Sequence, residues 1–252
     1  MKITFLAHSG FLVEWDKFYT LFDFYKGDLP DLDPQKPLLV FASHRHDDHF
    51  DPRIFSLPGQ YPTTQFFLSR DVSLTQRRRK WLHIDDETFA RCTMLRHDEL
   101  LLTQAAGEEL SIRTIKSTDI GVAFLLRSEG KLIYHAGDLN WWHWESEGQA
   151  YCNNMAANYH RAIDKLLSSI QDEALDSGCT PKLSAAMVPL DPRLEKAYDM
   201  GLSYLLKMIP VDHVFPMHMW EKFETIDQYC LQHPEHEKLI ARIVRDGQSF
   251  AI

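Results

Sequence analysis

The sequence predicts an α+β fold in which two mixed β-sheets pack face to face with helices outside. Three observations carry that expectation. Two strand-rich blocks follow one another along the chain, each succeeded by helical patterning. Short apolar runs are punctuated by turn residues such as Ser9-Gly10, Asp16-Lys17 and Glu129-Gly130. Apolar residues make up 44% of 252 positions and aromatics 12%, enough to fill a core between two sheets. No linker, low-complexity segment or short-period repeat interrupts the pattern, so residues 1–252 read as a single domain.

Taken in order, residues 3–8, 11–15 and 19–23 form a meander. Asp28-Leu29-Pro30-Asp31-Leu32-Asp33-Pro34 is too broken by proline for regular structure and reads as a loop. It leads into Leu38-Leu39-Val40-Phe41-Ala42, an unbroken apolar run of the kind that forms a buried strand. Asp51-Pro52 has the form of a helix start, with Asp capping and Pro at the first helical position. A strand is expected over 65–69 and a helix over 71–82. The second block supplies strands over 100–104, 110–115, 122–127 and 131–136. Ala162, Ile163, Leu166, Leu167 and Ile170 recur at helical spacing and predict an amphipathic helix over 156–175. A strand over 185–190, a helix over 195–208, a strand over 213–217, a helix over 221–232 and a last strand over 239–244 complete the reading.

Composition narrows the function. The formal charge is −9, which argues against a long nucleic acid as partner, since that binding needs clustered positive charge. One basic run, Arg77-Arg78-Arg79-Lys80 beside Trp81, reads as the solvated end of a helix, with an anion-binding patch as the alternative. No apolar stretch approaches the roughly 20 residues that span a bilayer, and Met1-Lys2-Ile3-Thr4-Phe5-Leu6-Ala7 turns polar too soon for a signal peptide. Cys92, Cys152, Cys179 and Cys230 are scattered, with no Cys-x-x-Cys pair. Free thiols in a reducing cytoplasm are therefore expected, rather than disulfides or a thiolate metal site.

The chemistry concentrates in Ser43-His44-Arg45-His46-Asp47-Asp48-His49, which directly follows the apolar run 38–42. Imidazole nitrogen and carboxylate oxygen are the ligands that Zn²⁺ and similar ions take, at roughly 2.0–2.2 Å. At the end of a buried strand such side chains can converge on one metal ion or on a close pair. Three other strand ends carry similar groups: Asp23 after Thr20-Leu21-Phe22, Asp138 after the turn residue Gly137, and His218 after Val214-Phe215-Pro216-Met217. Ligands gathered from several strand ends are how a rigid sheet builds a site.

His44-x-His46-x-Asp48-His49 resembles the His-x-His-x-Asp-His signature of the metallo-β-lactamase-fold hydrolases, and Asp23, Gly137-Asp138 and His218 follow in that family's order over roughly residues 1–220. The resemblance implies an αββα sandwich with a mono- or dinuclear centre at one edge of the sheets. It implies that His44 and His46 bind one metal, that Asp48, His49 and His218 bind a second, and that Asp138 bridges both. Asp23 is similar to a buried aspartate that orients a ligand histidine through its ring N–H. Zinc is the expected ion, with manganese or iron as alternatives.

One position departs from the family pattern. A third histidine for the first metal is missing, and the region reads Thr114-Ile115-Lys116-Ser117-Thr118-Asp119-Ile120-Gly121. Ser117 or Asp119 is a substitute oxygen ligand, or Lys116 places a cation where the metal would sit. One firm metal site and one weaker site are expected.

Trp141, Trp142 and Trp144 follow the bridging aspartate, either as a packed lid or homo-oligomer contact or as a stacking wall in which Trp141 contacts substrate. Arg193 in Pro189-Leu190-Asp191-Pro192-Arg193 is a clamp for a carboxylate or phosphate, or a structural partner of Asp191. The expected activity is hydrolysis of a small anionic ester, lactone or phosphoester by a metal-activated water. Asp48 and Asp138 would act as catalytic carboxylates, Lys116 would bind substrate, and His135, His143 or Lys116 would protonate the leaving group. A nucleotide phosphodiesterase and a non-catalytic metal-binding protein are the rival readings.

Overall fold

The computed structural model describes residues 1–178 and 180–252. Cys179 lies outside the described residues, while Cys92, Cys152 and Cys230 are free thiols as expected.

The first block builds one sheet from β1 (Lys2–Ala7), β2 (Gly10–Glu14), β3 (Tyr19–Phe22), β4 (Leu38–Ala42), β5 (Gln65–Ser69) and β6 (Cys92–Leu95). The first three strands pair antiparallel, and β3 through β6 run parallel. The strand β6 was not anticipated, because three of its four residues are half-exposed and four are too few to show a period. The second block builds the other sheet from β7 (Leu100–Ala105), β8 (Glu108–Lys116), β9 (Val122–Ser128), β10 (Lys131–His135), β11 (Ala185–Pro189) and β12 (Val214–Met217). Here β7 to β10 alternate in direction, whereas β10, β11 and β12 are parallel. The chain ends in β13 (Gln248–Ala251), which returns to the first sheet beside β1.

The last strand is therefore not residues 239–244. That segment touches β12 through one bridge, Val214 to Ile240, in which Val214 donates to Leu239 and accepts from Ala241. The next donor along β12 would be residue 216, a proline with no N–H, so the ladder stops there.

Among the described residues five α-helices cover the sheets: α1 (Gln76–Trp81), α2 (Asp86–Ala90), α3 (Gln149–Ser177), α4 (Met200–Met208) and α5 (Glu224–Gln232). Left-handed residues explain three boundaries that differ from expectation. Ser73 (φ 52°) splits the segment over 71–82, Glu195 (φ 52°) delays α4, and Trp220 and Glu221 (φ 54° and 62°) delay α5. The basic run Arg77–Lys80 lies on α1 with Trp81 74% exposed, the solvated helix end.

Alternate residues of each central strand are buried on both faces, because the sheets are covered on both sides. Phe22, Phe41 and Phe67 point between the sheets and meet Phe124, while Leu21, Val40 and Leu68 face a second core under Ile54, Tyr61 and Val72. On the far side, Tyr159, Ile163, Leu166 and Ile170 of α3 are fully buried, each contributing roughly 1.5–3 kcal/mol. The same packing brings the carboxyl ends of β3, β4, β10, β11 and β12 to one edge.

Candidate metal centre

Most polar side chains of the centre sit just past the end of a strand, and His46, Asp48 and His49 follow on the loop after β4. Asp23 follows β3, Ser43 and His44 follow β4, Asp138 follows β10, Asp191 follows β11 and His218 follows β12. Close packing between the sheets fixes these ends against one another. A Cβ on Gly121 (φ 73°) would stand 2.1 Å from the Ser43 carbonyl oxygen, and one on Gly137 (φ 52°) would stand 2.7 Å from Ser43 Cβ. Only glycine lets the second sheet approach the motif this closely.

Buried hydrogen bonds then set the tautomer of each histidine. Asp23, fully buried, accepts from the Ser43 backbone N–H (2.7 Å), from Ser43 Oγ (2.6 Å) and from His49 Nδ1 (2.7 Å). Ser43 Oγ, having donated its proton, accepts from His44 Nδ1 at 3.0 Å. Asp191 Oδ2 accepts from His218 Nδ1 at 3.1 Å. In all three rings Nδ1–H is occupied, so the Nε2 lone pair points into the site.

Those lone pairs converge. His49 Nε2 and His218 Nε2 are 3.0 Å apart, and Asp138 Oδ1 lies 2.9 Å from each. On the other side His44 Nε2 is 3.0 Å from His46 Nδ1 and 3.3 Å from Asp138 Oδ2. Asp138 spans two clusters whose ligand atoms lie within 4.8 Å of one another, His44–His46–Asp138 and His8–Asp48–His49–His218. Burial alone would lower the pKa of His49, but the Asp138 and Asp23 carboxylates outweigh it and raise it to about 10. Asp138 is itself held well below the usual carboxylate range, its burial outweighed by His49, His218 and His44.

The six expected metal ligands, His44, His46, Asp48, His49, Asp138 and His218, are thus brought together, and Asp23 stands behind them as expected. The gap left by the missing histidine is faced by Asp119, whose Oδ2 is 3.9 Å from His46 Nδ1. Ser117 is buried instead, its Oγ accepting the Asp119 backbone N–H.

His8 was not anticipated. It ends β1 in a left-handed conformation (φ 51°) that turns its ring toward the centre, with Nε2 3.4 Å from Asp48 Oδ2 and the ring 4.0 Å from that of His218. Its Nε2 is buried without a hydrogen-bond partner. In sequence it is a lone histidine at a turn, with no local sign of its destination.

A cavity of about 530 Å³ opens over the cluster, walled by Trp142, Trp144, Tyr151, Met155 and Arg193. Arg193 lies bidentate on Asp191 at 2.6–3.0 Å and stacks over Trp220, which makes it both a structural partner and part of the wall. Four expectations change. Trp141 is not the aromatic that faces the site: Trp142 Nε1 donates to the Asp138 carbonyl and turns inward, sending Trp141 outward onto Tyr159, His160 and Tyr204. Lys116 does not stand at the metal position. It is exposed and lines a neighbouring cavity of about 600 Å³. His135 cannot serve as the acid, since it is fully buried with Nε2 on the Ser9 carbonyl and Nδ1 accepting from Gly137 N–H. His143 lines neither cavity.

Residues 2–150 match the family model described as the beta-lactamase superfamily domain. The chain belongs to this superfamily. A comparison with curated protein sequences finds no match. Among solved structures this superfamily member is similar to a metallo hydrolase from the hyperthermophilic archaeon Ignicoccus hospitalis, with 17% identity, TM-score 0.60 and coverage of 100% of this chain and 98% of the other. It is also similar to an isothiocyanate hydrolase from Delia radicum gut bacteria (15%, TM-score 0.55, 100% and 99%) and to the short form of human tRNase Z (12%, TM-score 0.55, 100% and 99%). These likenesses establish the metallo-β-lactamase fold over the length of the chain.

Proposed function

We propose that the protein is a metal-dependent hydrolase that uses a metal-activated water to cleave an ester, lactone or phosphoester bond of a small anionic substrate. The observation that carries this reading is the convergence of His49 Nε2, His218 Nε2 and Asp138 Oδ1 within 3.0 Å of one another. Their Nδ1–H groups are already spent on Asp23 and Asp191, so with Nε2 unprotonated the rings present lone pairs to one another and to a carboxylate. Such a set repels itself until a cation or protons intervene, and its N and O donors suit a borderline divalent ion, zinc first. Asp48, His49, Asp138 and His218, with His8 beside them, would hold one ion, and His44, His46 and Asp138, with Asp119 beside them, a second. Held there, a divalent ion supplies Lewis acidity and lowers the pKa of a bound water to about 7.

The chain's own residues supply the rest. Asp48 is ionised, its carboxyl held low because His8, His49 and His218 outweigh its partial burial. It also faces the cavity, where it would orient the attacking water. Trp142 and Trp144, stacked in parallel with ring centres 6.2 Å apart, give an apolar wall that limits water access. Arg193, its charge met by the bidentate Asp191, stacks over Trp220 and stiffens the rim.

A cavity of about 530 Å³ suits a small molecule, and a net charge of −9 works against an extended phosphate backbone. A purely structural metal site is disfavoured by the same cavity, which leaves Asp48 and Asp138 facing open space. The test is turnover of generic lactone, thioester and bis-nitrophenyl phosphate substrates by metal-stripped protein and by the same protein reloaded with zinc, manganese or iron. Hydrolysis restored by one of these ions supports the reading, and equal turnover before and after reloading would contradict it.

A further inference from the structure

The metal-facing cavity continues into a second one that the hydrolytic centre does not use. One face of α3 lines both: Tyr151, Asn154, Met155 and Asn158 border the first, and Asn158, Arg161, Ala162 and Lys165 border the second. These positions recur at steps of three and four, a single stripe along the helix. Thr118 and Asp119 border both cavities from the opposite wall, and Lys116 joins them in the second.

The chemistry changes along this groove. Near the metal centre the wall is aromatic and amide. Further out Lys116, Arg161 and Lys165 gather in one concave space of about 600 Å³. Among the described residues none of these three cations has a carboxylate within ion-pair distance, although the surface is acidic overall and Lys2, Lys17 and Lys182 each have one. Arg161 bonds only the neutral Asn158 side chain. Of the carboxylates bordering this space, Asp98 is turned to His97 and Asp119 to His46. Three cations against two carboxylates leave this concavity net positive, and its walls hold that potential higher than it would be in open solvent.

We propose that this second cavity is a subsite for an anionic tail, phosphate or carboxylate, of the molecule whose other end is cleaved at the metal centre. The proposal rests on the hydrolase reading above and names its substrate more closely. Met155 to Arg161 and Lys165 is about 9–15 Å of helix rise, so the substrate is an elongated small molecule with its anion roughly 10 Å from the scissile bond.

Arg161, Lys165 and Lys116 are exposed, so glutamine variants at these positions leave the fold intact. Calorimetric titration of the metal-loaded wild type and of the Arg161→Gln/Lys165→Gln double variant with octylphosphonate reads the subsite directly. The expected result is binding at least tenfold weaker in the variant and weakened by added salt in the wild type. Equal affinity in both proteins overturns the proposal by placing the phosphonate head on the metal alone. Aryl esters with a terminal phosphate, a terminal carboxylate or no charge supply the kinetic arm. KM should rise about tenfold in the variant for the tailed ester that matches the subsite, with kcat unchanged and the neutral ester unaffected. Turnover insensitive to either tail sinks the subsite. Loss of octylphosphonate binding in the variant, with no ester turned over by either protein, would sustain the subsite and overturn the hydrolase reading instead.

Discussion

At the scale of single residues, the centre depends on groups that never touch a ligand. Asp23 accepts three hydrogen bonds in the core and fixes the His49 tautomer. Asp23→Asn keeps the shape but replaces one acceptor oxygen with a donor, so metal affinity measured by chelator competition should fall about 10–100-fold. Proton competition gives a second expectation. With its pKa raised to about 10, His49 carries a proton at neutral pH in the metal-free protein. An incoming ion must displace that proton, so affinity should rise with pH, by up to about tenfold per unit for each proton released. Titration in two buffers of different ionisation enthalpy counts those protons; affinity flat from pH 6 to 9 would contradict the assignment. His8 shows where sequence reading stops. The ligands at 44–49 share one loop and are visible as a cluster, whereas His8 reaches Asp48 and His218 only because β1 and β12 end at the same edge and His8 adopts φ 51°.

At the scale of elements, strand patterning was legible and breaks were not. The expected strand over 65–69 is found as Gln65–Ser69, and the expected strand over 38–42 as Leu38–Ala42, because unbroken apolar runs have one solution in a sheet covered on both faces. The helix over 71–82 failed at Ser73 and that over 195–208 at Glu195, non-glycine residues held at positive φ by tertiary packing that local propensity does not encode. The contact between the sheets at the motif is the element-level weak point. Gly121→Ala would force a Cβ into the Ser43 carbonyl at a positive φ, costing on the order of 3 kcal/mol. Thermal unfolding should show that loss together with weakened metal binding, since Ser43 shares Asp23 with His49.

At the scale of the whole molecule, two of the polar clusters that join the layers bear directly on stability. Glu173 of α3, its side chain 3% exposed, receives Ser111, Arg113 and Arg127 from β8 and β9. Its burial is outweighed by these donors, Arg113 first, so its folded pKa lies below the usual range. A depressed carboxylate stabilises fully above its unfolded pKa, and that contribution is lost as pH falls through the folded pKa. Glu173→Ala should therefore lower stability at pH 7 by about 3–5 kcal/mol and flatten the acid limb of the stability curve. The metal centre is the second link: His8, Asp23 and residues 44–49 come from one sheet, and Asp138, Asp191 and His218 from the other. Ion binding should thus stabilise the entire fold. At an ion concentration 100 times Kd the gain is about 2.7 kcal/mol, a rise in Tm of roughly 5–10 °C for a chain of this length.

On the proposed reading, hydrolysis originates at the ion shared by His49 and Asp138. The most direct measurement is metal content and turnover, side by side, of the wild type and a His49→Ala/Asp138→Ala double variant after reconstitution with the same ion. The variant should lose the tightly held ion together with at least a thousandfold of turnover, while its circular dichroism remains that of a folded protein. Undiminished turnover in a folded variant stripped of that ion would contradict it.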